Sequence, residues 1–372
     1  MEQKEEEEEE PSPSGRTREE ESDEEEDGTW DPRKQAQIVE VSGRLMKEGD
    51  LKAQIEAAWD IRNIVRRRSS SSQSSTKTRS RFAAAGVIKP LVLMLTSSSL
   101  DARQASLLAL LNLAARNERN KVKIVTAGAV PPLVELLKFQ SGTLRELATA
   151  AILTLSAAEP NKPIIVASGV TPYLVQILSS GSVQGRVDAV TALYYLSNSS
   201  GDSHPMIDAK AVSPLINLLK ECKKYSKFAE KTTALLEILC NTDEGRAALT
   251  NSDDAILALV ETVEDGSHLS AKHAVGALLA LCQSCRDKYR ILILTEGAIP
   301  GLLWLTVEGS SEAQERARML LDLLRDTPQE KRLASSELDR IAYDIAARVD
   351  GSDKAAETAK RLLQDRLKEA RR

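Results

Sequence analysis

Cys282-Gln-Ser-Cys285 has the two-residue gap at which paired thiols form a redox disulfide or half of a tetrahedral zinc site. Zinc needs a second ligand pair, and the other two cysteines, Cys222 and Cys240, are not spaced as one. Metal and redox chemistry are therefore not expected, and no cofactor is called for. His204, His268 and His273 are scattered, without a Ser/Asp or Cys partner pattern for nucleophilic catalysis. A Gly-x-x-x-x-Gly-Lys phosphate loop is also missing from the sequence. The polar residues that recur are of a binding kind instead. Asn63 and Asn112 carry amides that can hold a peptide backbone, and Arg103, Arg145 and Arg186 can attract an acidic partner. The same amides could equally bond between neighbouring helices, and the same arginines could be solvated first-turn residues.

The 372 residues are 42% hydrophobic and 28% charged but only 3% aromatic, with Leu and Ala abundant. A core of Leu, Ala, Ile and Val with few rings suits stacked helices better than sandwiched sheets. Residues 1–31 hold 16 acidic and 3 basic side chains, a net of −13, so the total of −5 leaves +8 for the remainder. Four cysteines do not make a disulfide framework, the glutamate-rich start does not read as a secretory leader, and no apolar run reaches the length of a membrane span. Cytoplasm, nucleus or both is the expected location.

What positions any site here is a repeat. Ala85-Gly86-Val87-Ile88-Lys89-Pro90-Leu91-Val92 returns as Ala127-Gly128-Ala129-Val130-Pro131-Pro132-Leu133-Val134, and as Ser168-Gly169-Val170-Thr171-Pro172-Tyr173-Leu174-Val175. Lys210-Ala211-Val212-Ser213-Pro214-Leu215 and Glu296-Gly297-Ala298-Ile299-Pro300-Gly301-Leu302 are further copies, and Asp254-Ala255-Ile256-Leu257-Ala258-Leu259 is a degenerate one. With the glycine position as origin the steps are 42, 41, 41, 44 and 43 residues. Glycine ends a short helix by accepting positive φ, and proline sits in the first turn of the next, where its missing N–H costs little. A polar Ser/Gly-rich break leads to a second periodic run, such as Ala148-x-x-Ala151-Ile152-x-x-Leu155 or Ala274-x-x-Ala277-Leu278-x-x-Leu281, whose small residues allow close helix packing.

Short helix, helix and longer helix in about 42 residues is the armadillo pattern, with HEAT repeats the nearest competitor. The array extends upstream through Ala57-Ala58-Trp59-Asp60-Ile61-Arg62-Asn63-Ile64, 49 residues before its counterpart. The surplus falls in a basic, serine-rich stretch read as a loop. The expected fold is thus all-α: a right-handed armadillo-repeat α-solenoid of about seven repeats behind a disordered acidic N-terminal tail. Its parts are the tail (1–31), a divergent first repeat (32–68), the basic loop (69–81), six repeats (82–326) and C-terminal capping helices (327–372).

Glu230-Lys231-x-x-x-Leu235-Leu236, Glu244-Gly245-Arg246, Lys272-His273-Ala274-Val275-Gly276-Ala277-Leu278-Leu279 and Glu296-Gly297-Ala298-Ile299-Pro300 resemble the armadillo domain of plant U-box ubiquitin ligases. The resemblance spans residues 33–326 and implies a protein-binding array. The U-box itself, with its Cys-Pro-Ile-like core, is not matched by the residues before Arg33, so the chain reads as an armadillo-only relative without ligase activity of its own.

In such a stack the third helices line a groove. One recurring position there is Asn63, Asn112, Thr154, Tyr195, Glu237, Ala280 and Asp322, and one turn earlier lie Trp59 and its counterparts down to Gly276 and Arg318. Trp59 with Asn63 resembles the tryptophan–asparagine ladder of importin-α, although one pair is far from a ladder. Arg103, Arg145 and Arg186 are placed as a short basic row at the groove rim. Ser22, Ser69 and Ser70 are candidate phosphorylation sites, in an acidic and a basic context respectively. The expected function is a non-enzymatic adaptor, a monomer that binds a partner protein or extended peptide such as a kinase or ubiquitin-pathway component, with no small-molecule substrate. The alternatives are a component or partner of a U-box ligase, and a nuclear-import or nucleic-acid-associated adaptor, the last disfavoured by the lack of any nucleic-acid-reading motif.

Overall fold

The computed structural model describes residues 31–66, 72–139, 142–198, 207–325 and 340, and their regular structure is helical throughout. Helices α1 (Pro32–Met46) and α2 (Leu51–Arg66) form the divergent first repeat. The next two repeats comprise α3 (Ser72–Ala84), α4 (Ile88–Met94) and α5 (Leu100–Ala114), then α6 (Glu118–Thr126), α7 (Val130–Leu137) and α8 (Thr143–Ser156). These belong to a first compact unit ending at Asn161. The second unit, from Lys162, holds α9 (Lys162–Ala167), α10 (Thr171–Ser180) and α11 (Val183–Ser197), followed by α12 (Val212–Glu221) and α13 (Lys227–Cys240). It continues with α14 (Asp243–Thr250), α15 (Ala255–Asp265) and α16 (His268–Ser284), then α17 (Arg286–Thr295), α18 (Ile299–Glu308) and α19 (Ser311–Leu324).

The helix boundaries follow the chemistry read from the repeat. Gly86, Gly128, Gly169 and Gly297 all have φ between +71° and +87°, the left-handed conformation that ends a first helix. In the degenerate copy Asp254 takes that same conformation, at φ +57°, and its carboxylate is held 2.7 Å from Lys220 Nζ. Prolines stand in the first turn of α7, α10 and α18. The serine-rich breaks have a sharper role than composition suggested. Ser99, Ser182, Ser226, Ser267 and Ser310 each accept a hydrogen bond from the backbone N–H three residues on, capping α5, α11, α13, α16 and α19.

Within each unit, successive third helices pack on one another: α2 on α5 and α5 on α8 in the first, α11 on α13, α13 on α16 and α16 on α19 in the second. The seams are the small–large stripes. Ala105, Ala148, Ala189, Ala274, Ala277 and Ala317 are fully buried, as are Leu113, Leu196, Leu235, Leu278 and Leu281. Alanine lets the backbones approach and leucine fills the space between them.

Of the stretch expected as a loop, residues 72–81 are helical, and α3 is the first helix of the second repeat. Its serine-rich start carries no apolar period, which hid it, but its C-terminal turn anchors on Phe82, the largest fully buried side chain. Arg79 Nε donates to the Asn112 carbonyl at 2.9 Å, and Arg81 donates to Gln35 Oε1 at 2.9 Å. The acidic tail through residue 30 and, apart from Arg340, the expected capping helices at 327–372 lie outside the described residues. If α3 is integral to the stack, Phe82→Ala lowers unfolding stability by about 3–5 kcal/mol in urea titration, whereas Lys89→Ala on the exposed side of α4 stays within about 0.5 kcal/mol.

Candidate functional site

The face presented by the third helices is built differently in the two units. In the first, the Arg62 guanidinium lies 5.2 Å from the centre of the Trp59 ring, both half-buried. Asn63 is exposed. Asn112 Nδ2 is turned back to the Leu108 carbonyl at 2.6 Å, and Thr154 Oγ1 donates to the Ala150 carbonyl at 2.8 Å. Those two polar groups satisfy their own helices in this structure, so the face here is an aromatic–cation platform rather than an amide row.

The second unit carries a polar network that crosses its helix seams. Between α11 and α13, Lys231 Nζ donates to Thr191 Oγ1 at 3.2 Å and lies 5.9 Å from the Tyr195 ring centre. Tyr194 and Tyr195 stand with centroids 6.1 Å apart, both half-buried. Between α13 and α16, Ser267 Oγ donates to Glu230 Oε1 at 2.7 Å, and His273 Nδ1 donates to Glu237 Oε2 at 2.6 Å. Glu237 Oε1 also pairs with the Arg316 guanidinium at 2.8 Å, so one carboxylate on α13 reaches α19 across α16. Arg316 binds Glu312 Oε1 at 2.8 Å, and Lys272 binds Glu312 Oε2 at 3.2 Å. The hydrogen bond from Lys272, aided by the Arg316 charge, holds the Glu312 carboxyl below its usual range.

Gly276 makes the long pairing sterically feasible. A Cβ there would lie 2.3 Å from Glu237 Oε1 and 2.6 Å from the Arg316 guanidinium. The bare backbone of α16 is the clearance through which the two side chains meet. Lys231, His273 and Arg316 were not singled out as groove residues from the sequence. His273 precedes Ala280 by seven residues, close to two helical turns, and that spacing would have found it; Lys231 and Arg316 precede Glu237 and Asp322 by six.

Arg103, Arg145 and Arg186 do not form a row beside this face. They precede Asn112, Thr154 and Tyr195 by nine residues, two and a half turns, which puts them on the opposite side of their helices. Arg103 Nε donates to the Ser97 carbonyl at 2.5 Å, Arg145 is buried, and Arg186 pairs with Glu221 at 2.9 Å. Asp322 is exposed and pairs with Arg325 at 3.2 Å. Ser22, Ser69 and Ser70 lie outside the described residues.

The sequence of residues 144–342, more than half of the chain, matches the family model of the plant U-box protein ARM repeat region. The chain belongs to that family. Residues 117–157 also match the armadillo/β-catenin-like repeat. U-box domain-containing protein 45 of Arabidopsis thaliana is 30% identical over 239 residues, 63% of this chain and 30% of the relative. U-box domain-containing protein 17 of the same plant is 31% identical over 281 residues, 74% of this chain and 37% of the relative. The chain thus spans about a third of the length of these relatives. Among solved structures, an engineered protein superposes with a TM-score of 0.61 at 24% identity, over 87% of this chain and 77% of that one. A chain from a structure on a phosphorylation switch in the cadherin–β-catenin interaction gives 0.68 at 15% identity, over 87% and 64%. Both likenesses speak to the fold, an armadillo stack. Among the described residues, no single helix is long and apolar enough to cross a membrane.

The Cys282/Cys285 pair of this ARM region is split by its surroundings. Cys282 is buried in the α16 seam and Cys285 is exposed, and both are free thiols. Cys240 is also fully buried, and loss of hydration pushes its thiol up to about 12. Because that group binds its proton more tightly folded than unfolded, its contribution is intact below pH 9 and is lost as pH rises from 9 towards 12. Iodoacetamide at pH 8 therefore labels Cys285 in the native protein and reaches Cys240 only on unfolding, as peptide mapping would read. Gly276→Ala is expected to cost about 1–3 kcal/mol, although alanine is the better helix former, and the cost should shrink in a Glu237→Ala background when urea midpoints are compared.

Proposed function

We propose that this chain is a non-enzymatic interaction scaffold that holds a partner protein or extended peptide on the third-helix face of its ARM repeats. The observation that carries the reading is the second unit's face: half-buried Tyr194 and Tyr195 beside Lys231, with the Glu237–His273–Arg316 network next to them. Fixed, partly desolvated polar groups beside aromatic rings give a docking segment both contact area and register. Nothing in the arrangement pairs a nucleophile with a base, and the family matched is the repeat region of its relatives.

Those relatives are U-box domain proteins, which favours a second reading: the chain works as a component or partner of a U-box ligase. In that role its repeats would supply recognition and another segment or protein the transfer chemistry. A ubiquitin-transfer assay with the purified chain is expected to yield no ubiquitin conjugates, and conjugates formed without added ligase would overturn the scaffold reading. Affinity purification with the intact chain and with Tyr195→Ala/Glu237→Ala tests the face itself. Bound partners should fall about tenfold or more with the double variant, and equal recovery would place binding elsewhere.

A further inference from the structure

Several cations on or beside the third helices of the second unit are matched with carboxylates. Arg186 has Glu221, Lys272 has Glu312, and Arg316 has both Glu237 and Glu312. Arg318 turns instead to the Thr306 carbonyl and Gln314 Oε1, and Lys231 likewise has no carboxylate within ion-pair distance among the described residues. Its ammonium has one hydrogen bond, to Thr191 Oγ1, which already donates to the Val187 carbonyl, and beyond that only the face of Tyr195. The two acids that share its helix are turned the other way, Glu230 to Ser267 and Glu237 to His273 and Arg316. One turn before it stands Lys227, exposed and likewise without a carboxylate among the described residues. Like charges four residues apart on a helix repel, so the sequence keeps a mild penalty at this spot instead of relieving it. Burial makes the Lys231 proton easier to lose, Glu230 partly opposes this, and Lys227 adds a smaller push in the same direction as burial.

We propose that Lys231, Thr191 and Tyr195 form a subsite for one Asp or Glu side chain of an extended protein segment lying across α11 and α13. The carboxylate would take the two open N–H groups of Lys231, and the segment's aliphatic atoms would pack on the Tyr195 ring. A singly charged carboxylate suits the place better than a phosphate. The donor is one ammonium rather than an arginine fork, and Glu230 and Glu237 on the same helix would oppose a dianion. This inference rests on the third-helix-face reading above and adds the chemistry of one position on it.

The test is a random dodecapeptide library displayed on phage and panned against the full chain. The expected consensus holds Asp or Glu at one fixed position, and the synthetic consensus peptide should bind about tenfold or more weakly to Lys231→Gln. Replacing that acid by Gln in the peptide should cost the wild type as much and Lys231→Gln nothing further. Lys231→Glu should prefer a peptide with Lys at that position. Far-ultraviolet circular dichroism melts matching the wild type would show that the variants fold. A consensus without an acid, or an acid preference that persists in Lys231→Gln, overturns the subsite. If Tyr195→Ala and Glu237→Ala weaken peptide binding but Lys231→Gln does not, only the subsite falls. If none of the three weakens it, the face reading falls with it. Binding that rises on removal of Glu19–Asp27 with no loss of the acid preference at wild-type affinity supports the subsite. Selected peptides that are plain acidic runs like that segment would instead make this chain its own occupant, and self-association abolished by Lys231→Glu would make it a second copy; either overturns the proposal.

Discussion

A repeat of about forty residues in two or three helices cannot close a core around itself, so its apolar face has to be covered by the next copy. That requirement sets the character of every third helix. Alanines at Ala105, Ala148, Ala189 and Ala274 bring neighbouring backbones close, and buried branched side chains such as Ile152, Leu193 and Leu278 fill what remains. The serine caps matter for the same reason. A helix that begins one residue late rotates its stripe by about 100°, and Ser99, Ser182, Ser226, Ser267 and Ser310 fix where five of them begin.

Stacking by a narrow stripe leaves the rest of each third helix free to carry polar groups, and these meet across the seams. In the second unit they do so unevenly. Between α13 and α16, and from α13 to α19, acids and cations neutralise one another through Glu237, His273 and Arg316. Between α11 and α13 Lys231 meets the Thr191 hydroxyl and the Tyr195 ring. The closed part of the network holds three repeats in register, and the open part retains unspent hydrogen-bonding capacity facing outward. In the first unit the face has no such bridges among the residues described, and Trp59 with Arg62 stands there instead. A single backbone can therefore present several surfaces, since specificity lies in residues the stacking does not need.

The pattern of the seams was legible along the chain because stacking acts on it at a fixed period. Gly128 and Gly297 were readable as left-handed helix ends and Leu278 and Leu281 as core. The helix from Ser72 was not, because its opening turns carry no apolar stripe and one ring, Phe82, does most of its anchoring. The arginine row failed for a geometric reason: a position that recurs in register is still on the far side of its helix when the offset is nine residues. Asn112 was a fair candidate by type, but an amide's partner depends on which acceptor lies nearest, and here that is the Leu108 carbonyl of its own helix.

By itself the sequence determined the repeat, its caps and breakers, its core and its membership in an all-helical interaction family, since each is a local or periodic property of the chain. Tertiary structure alone decided which side chains meet between repeats. Glu237 reaches Arg316 79 positions away because α16 lacks a Cβ at Gly276, and Lys231 bonds the Thr191 hydroxyl while Glu230 and Glu237 bond across the opposite seam. Contacts of that kind are set by distance and clearance in three dimensions, and no spacing along one helix encodes them.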